Sequence, residues 1–322
     1  MNPWTIALSA ALLGVWGAAA QAQPKAFPQQ PIKLVVGYSP GGSVDIVARQ
    51  YGQKLSELLG QSVIVENKAG ASGTLAANAV KNAAPNGYTL YFVASPTISI
   101  TPAVTSTSFD PVADFSPIGS VVKYTNVLLV GAQSPFKSLQ ELVAFGKAQP
   151  GQLTYASAGN GSSNHLSGVL LAKYAGITMT HVPFKGNAPA MAELMANRVS
   201  MLFDLNTTAV TQVQSGSVRA LALTSPLRNP QLPHAPTMVE SGYPDFNFEG
   251  WIGLLAPART APEVVEALAQ ANQKILADAR FVADMERSGY AIDPVSTTDL
   301  KKRIASDYHF FKQLAPDVQA SQ

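Results

Sequence analysis

Apolar and polar positions along this chain follow two alternating periods. Short apolar runs at about 32–38 (IKLVVGY), 62–66 (SVIVE), 88–94 (YTLYFVA), 117–122, 126–130, 153–157, 179–182, 199–203, 219–224 and 251–256 predict strands. Between them, segments at about 44–59, 74–84, 138–148, 163–174, 187–196, 262–277 and 297–313 carry apolar residues at helical spacing. Local punctuation agrees: Asn86-Gly87 precedes a strand, Gly60 follows a helix, Ser138 stands where an N-cap belongs and Pro262 suits a first turn. Strands alternating with helices of this length predict βαβ units and mainly parallel sheets.

The first residues change the picture of where the fold begins. "MNPWTIALSAALLGVWGAAAQAQPKAF" is an uncharged apolar run ending in small residues, which predicts a secretory signal over 1–22 cleaved near Ala22. A membrane anchor is the alternative, but the apolar run is shorter than the ~20 residues that span a bilayer. Cysteine is absent, so thiol chemistry, disulfides and a lipidated cysteine are excluded and a freely diffusing exported protein is expected. Some 300 residues then remain, enough for about two domains. The breaks near 123–126 and 248–252 mark two crossings between domains; if the last helices return to the first, 125–250 is an inserted second lobe and 28–124 with 251–322 form the first. A net charge of +2 with 13% charged residues leaves no basic footprint for nucleic acid.

Candidate chemistry gathers at three glycine-bearing turns between a strand and a helix, where open α/β sheets bind ligands. In "VVGYSPGGSVDIVAR", Tyr38 and Ser39 lead into Gly41, Gly42, Ser43 and Asp45. The glycines allow close backbone approach, and helix-start N–H groups favour an anion by ~0.3–1 kcal/mol. Ser43 is equally an N-cap, Asp45 a favourable first-turn acid, and the glycines an ordinary tight turn. "YASAGNGSSNHL" repeats the arrangement with Ser157, Ala158, Gly159, Asn160, Gly161, Ser163 and His165. His165, in a first helical turn, is expected to be neutral beside the positive dipole end, and a structural role is its alternative. "HVPFKGNAPAMAELM" adds Lys185 as a countercharge and Gly186, while Asp204 ends a strand and is either a ligand contact or a cap. Ser95 and Thr97, after the third strand, complete the set.

No phosphate fingerprint, nucleophile elbow or metal-ligand spacing occurs in the sequence, so neither a metal nor a cofactor is expected. A secreted hydrolase or transferase using His165 is the catalytic alternative. A non-enzymatic receptor that closes two lobes on a ligand explains more of the pattern, and a receptor serving a signalling partner makes the same binding prediction.

Those turns, with "LGQSVIVENKAGASGTLAANAV", "APNGYTLYF", "RALALTSPLRNPQLPHAPTMVESGYPDF" and "WIGLLAPARTAPEVV", resemble the substrate-binding receptors of tripartite tricarboxylate transporters, the Bug family of periplasmic proteins. The resemblance implies a two-lobed periplasmic-binding-protein (Venus-flytrap) fold, each lobe a mainly parallel sheet flanked by helices. It implies a monomer in the periplasm that takes a small organic carboxylate and delivers it to a permease of one large and one small membrane subunit. It further implies a carboxylate grip by Ser39–Ser43 and Ala158–Ser163, partly through ordered water. The chain departs from the family's common pattern at Ser39, Val169 and Leu205, so the particular carboxylate is not implied.

Overall fold

The computed structural model describes residues 27–246 and 248–316, so the expected signal segment lies outside the described residues. The chain begins with β1 (Ile32–Val36), α1 (Ser43–Leu59), β2 (Val63–Asn67), α2 (Thr74–Lys81) and β3 (Thr89–Ala94). A π-helical turn, Pro96–Ile100, and the short α3 (Thr101–Val104) lead to β4 (Phe115–Gly131). Then follow α4 (Leu139–Ala148), β5 (Leu153–Ser157), α5 (Ser163–Ala175), β6 (Met179–Pro183), α6 (Asn187–Met195), β7 (Met201–Leu205), α7 (Asn206–Gln214) and β8 (Val218–Leu223). The chain closes with β9 (Glu249–Pro257), α8 (Pro262–Leu276), α9 (Ala279–Arg287), β10 (Ala291–Ile292) and α10 (Thr297–Gln313).

The strand order β2-β1-β3-β9-β4-β7-β5-β6 contains two parallel trios, β2-β1-β3 and β7-β5-β6. Antiparallel pairings through β9 and β4 join them. The expected strands 117–122 and 126–130 are one strand of 17 residues. The polar stretch Lys123–Thr125 does not break it, because these residues keep pairing with Trp251, Gly250 and Glu249 of β9. From Asn126 onward β4 pairs with β7 and β8 instead, so a single strand belongs to both sheets. The expected 199–203 strand runs from Met201 to Leu205, which draws Asp204 inside it. Helices α7 and α9 and the turn at 96–104 were not anticipated by the hydrophobic pattern.

Each sheet is covered on both faces, which is why its strands are continuous apolar runs. On one face of the first sheet, Leu34, Phe92 and Leu254 meet Tyr51 and Leu55 of α1, Leu268 of α8 and Phe281 of α9. On its other face, Tyr91 and Trp251 meet Leu300 and Ile304 of α10. The second sheet buries Leu128, Tyr155 and Phe203 against α5, and Val127 and Leu202 against Ala190 and Leu194 of α6. Full burial of each such large apolar side chain contributes ~1.5–3 kcal/mol. Packing on both faces leaves the sheet ends as the places where backbone groups stay free for a ligand.

Candidate functional site

The turns after β1, β5 and β6 deliver the N-termini of α1, α5 and α6 to one cavity. Gly42, Ser43 and Val44 line it from α1, Ser162, Ser163 and Asn164 from α5, and Gly186, Asn187 and Ala188 from α6. Tyr38, Ser39 and Ala158 from the preceding turns, together with Ala94, Tyr124 and Leu205, complete its sides. Its volume is about 60 Å³, well below the ~150 Å³ of an apolar cavity that admits benzene.

The three helix starts are built differently. Gly42 and Gly186 occupy the N-cap positions of α1 and α6 without a side-chain cap, whereas Ser162 Oγ caps α5 by accepting from the His165 amide. First-turn N–H groups have no intrahelical acceptor, so all three helices aim unsatisfied donors and positive dipole ends at the cavity. Among the described residues lining it there is no Asp, Glu, Lys, Arg or His. Tyr38 and Tyr124 stay protonated: burial raises both, against hydrogen bonds with Thr97 for Tyr38 and with Ser163 and Ser95 for Tyr124. The cavity therefore offers an anion many neutral donors and no point charge.

Seven of the sequence-derived candidates line this cavity: Tyr38, Ser39, Gly42, Ser43, Ala158, Ser163 and Gly186. The other eleven do not, and most of these shape the turns from behind. Asp45 accepts from the Gly41 amide (2.9 Å), from Asn67 Nδ2 (2.8 Å) and from Arg49 through Nε (2.9 Å) and a terminal guanidinium nitrogen (3.0 Å). Burial works to raise its pKa, but these donors outweigh it and hold the carboxyl below its ordinary value. The Gly41 N–H is thereby committed, and the positive φ of 78° is what requires glycine there. Ser95 Oγ accepts from the Trp251 amide. Thr97 donates to Ser72 O and accepts from Tyr38, which fixes that ring.

Beneath the second turn, Ser157 Oγ accepts from the Gly159 amide and bonds His181 Nε2 at 2.6 Å. His165 is fully buried, and its Nδ1 accepts from the Gly161 amide at 3.1 Å. Burial first, and His181 second, lower its pKa to about 3. The expected neutral imidazole is present, but desolvation rather than the helix dipole is its main cause. Asn160 is exposed and accepts from Ser72 Oγ at 2.5 Å across the mouth of the cleft. Lys185 is exposed outside the lining. Asp204 is buried behind Asn187, and burial raises its pKa to about 6.

Sequence reasoning missed Val44, Asn164, Asn187 and Ala188, although each adjoins a turn it had singled out; Ser162 lies within the expected 158–163 grip. Tyr124 had no such signal, being polar punctuation in the middle of β4. The hydrolase geometry is not assembled either, because Ser43 Oγ accepts from Thr207, His165 is sealed and Asp204 is held by Asn187 and Thr208.

Two α/β lobes with an uncharged, donor-rich cavity at their strand ends define a periplasmic solute-binding protein. The chain belongs to the tripartite tricarboxylate transporter family receptors (TctC), whose family description matches residues 47–315. These are receptors of the Bug type and not enzymes. The UPF0065 protein in the gbd 5′ region of Cupriavidus necator is 40% identical over 271 residues, 84% of this chain and 82% of its own. BugT of Bordetella pertussis is 30% identical over 306 residues, covering 92% of this chain and 93% of its own. Among solved structures, periplasmic binding protein BugD matches with a TM-score of 0.86 and 32% identity over 91% of this chain and 99% of its own. MatC from Rhodopseudomonas palustris with bound malate matches with a TM-score of 0.85 and 30% identity, covering 90% of this chain and 100% of its own. An R. palustris protein with adipate matches with a TM-score of 0.87 and 29% identity over 91% and 98%.

Proposed function

We propose that this protein is exported with loss of residues 1–22 and acts as a monomeric periplasmic receptor. It closes two lobes, 28–124 with 251–322 and 125–250, on a small organic carboxylate. It then presents that ligand to a permease of one large and one small membrane subunit. The observation that carries the ligand class is the convergence of three helix N-termini on a cavity whose described lining has no charged side chain. Each uncapped start favours a carboxylate by ~0.3–1 kcal/mol, rising toward ~2 where water is excluded, and charge-assisted hydrogen bonds to its N–H groups add to that. Malate and adipate in the related structures support the same class. The permease is supported by the family alone.

Thermal shift against a panel of mono-, di- and tricarboxylates tests this reading. A ligand at one hundred times its dissociation constant stabilises by about 2.7 kcal/mol, and a panel in which no carboxylate raises Tm would overturn it. Paired glycine variants separate binding from folding. Gly42 has a φ of −76°, and a Cβ there meets Ser39 O at 3.3 Å on the cavity wall, so Gly42→Val is expected to weaken binding more than stability. Gly41→Ala has open space around its Cβ but keeps the positive φ, so it is expected to cost about 1–2 kcal/mol of stability.

A further inference from the structure

The wall contributed by α5 and α6 carries two asparagines, Asn164 and Asn187, both lining the cavity. A primary amide has a donor end, Nδ2, and an acceptor end, Oδ1, and the end facing the ligand decides what it recognises. Here the partners of each amide settle its orientation by chemistry. Asn164 Nδ2 donates to the carbonyl of Phe203, which can only accept. Asn187 Nδ2 donates to Asp204 Oδ1, which also accepts from the Leu205 amide at 2.9 Å, while Thr208 donates to Oδ2. Turning Asn187 over would set its Oδ1 against a carboxylate already serving as acceptor to two other donors. With one Nδ2 hydrogen of each amide committed in this way, each of these two lining residues keeps its Oδ1 acceptor and its second Nδ2 hydrogen. Among the described residues no hydrogen bond is made to either oxygen; Asn164 is buried and Asn187 half-buried.

We propose that Asn164 and Asn187 select a carboxylate bearing a hydroxyl or ammonium group, with Asp204 as the positioning residue that keeps the Asn187 Oδ1 uncommitted. The inference rests on the carboxylate reading above. Helix-start amides take the carboxylate oxygens, while one amide oxygen accepts the single proton of a neighbouring hydroxyl, or both accept from a neighbouring ammonium. A ligand without that donor leaves two acceptors unpaired once the cleft closes over it, and a site built to bond a polar group discriminates against the analogue that lacks it.

Calorimetric titration of the full mature chain at neutral pH tests this with matched probes: succinate against malate and against aspartate, propionate against lactate, and phenylacetate against mandelate. In at least one series the hydroxylated or aminated member is expected to bind roughly ten- to hundredfold more tightly than its plain partner. Equal affinities within every series would overturn this inference and leave the carboxylate reading standing. No binding by any probe at millimolar concentration would overturn both. Asp204→Asn supplies an amide that can donate to Asn187 and let it turn over, so the affinity ratio is expected to fall toward one whatever the change in absolute affinity. Asn187→Ala, at a partly exposed helix start, removes one acceptor directly and is expected to lower the same ratio even if Asp204→Asn fails to fold. Wild-type ratios in the folded variants would overturn the assignment.

Discussion

Beneath the 158–163 turn, the rings of Tyr155, His181 and His165 stack, with centroids 4.9 Å and 4.1 Å apart. Burial lowers His181 to about 4 and, with His181 beside it, lowers His165 to about 3. Unfolded histidine binds its proton near 6.5. As pH falls below that value, the unfolded chain takes up protons that the folded chain refuses, so stability present above pH 6.5 is lost toward pH 4. Asp204 opposes this: burial raises its pKa to about 6, and between about pH 4 and 6 the folded chain keeps a proton the unfolded chain has released. Asp307, also raised by burial, acts in the same direction as Asp204, but the two histidine shifts are the larger effect at pH 5–7, so the net slope is positive and the urea midpoint is expected to rise from pH 5 to pH 7. His181→Asn is expected to flatten that rise; an unchanged slope would show that the pair does not titrate on unfolding. The residues themselves were legible as chemistry-bearing positions, but their direction was not. Asp45, His165 and Asp204 were candidates for the ligand, and each makes a hydrogen bond to the turn or side chain in front of it.

Helix starts are the elements that carry the site, and the same capping rules explain which of them were visible. Ser162 follows a glycine turn and caps α5, holding the backbone whose neighbours line the cavity. Ser162→Ala is expected to cost about 1 kcal/mol of stability and to weaken carboxylate binding, read by denaturant titration and calorimetry on the same sample. Unaltered binding would mean that the cap does not position the cavity wall. The three glycine turns were found from sequence because a strand run, a bare turn and a helical run follow one another within a dozen residues. Helix α9 carried comparable signals that went unread, with Asp278 capping it and Phe281 and Met285 four apart on its buried side. Helix α7 carried almost none, since "NTTAVTQVQ" is rich in β-branched and polar residues and buries only Asn206, Ala209 and Val210. Its position follows from β7 and β8 on either side rather than from its own periodicity.

At the scale of the whole molecule, closure depends on contacts between segments far apart in the chain. Gly70, Ala71, Ser72 and Gly73 all have positive φ, and the hydroxyl of Ser72 reaches the carbonyl of Asn160 on the opposite side of the cleft. Thr207 reaches Ser43 in the same way at 3.1 Å. In the proposed receptor these contacts would form as the lobes close on a ligand. Ser72→Ala removes one contact across the mouth, worth about 1 kcal/mol. It is expected to raise the ligand off-rate about fivefold in stopped-flow measurements with little change in Tm, and an unchanged off-rate would remove Ser72 from the closing contacts.

Alternating apolar periods and the glycine turns determined by themselves that this is an α/β chain of βαβ units with bare glycine turns leading into helices. Those features are local: they depend on residues within a turn or two of one another, where spacing and backbone freedom act directly. Tertiary structure decided the rest. It fused two expected strands into β4 because β9 supplied partners across Lys123–Thr125. It brought the starts of α1, α5 and α6, more than a hundred residues apart at the extremes, to one cavity. It also turned the amides of Asn164 and Asn187 by placing Phe203 and Asp204 behind them. Hydrogen-bond direction is fixed by whichever partner the fold brings near, and no spacing within the sequence specifies that partner.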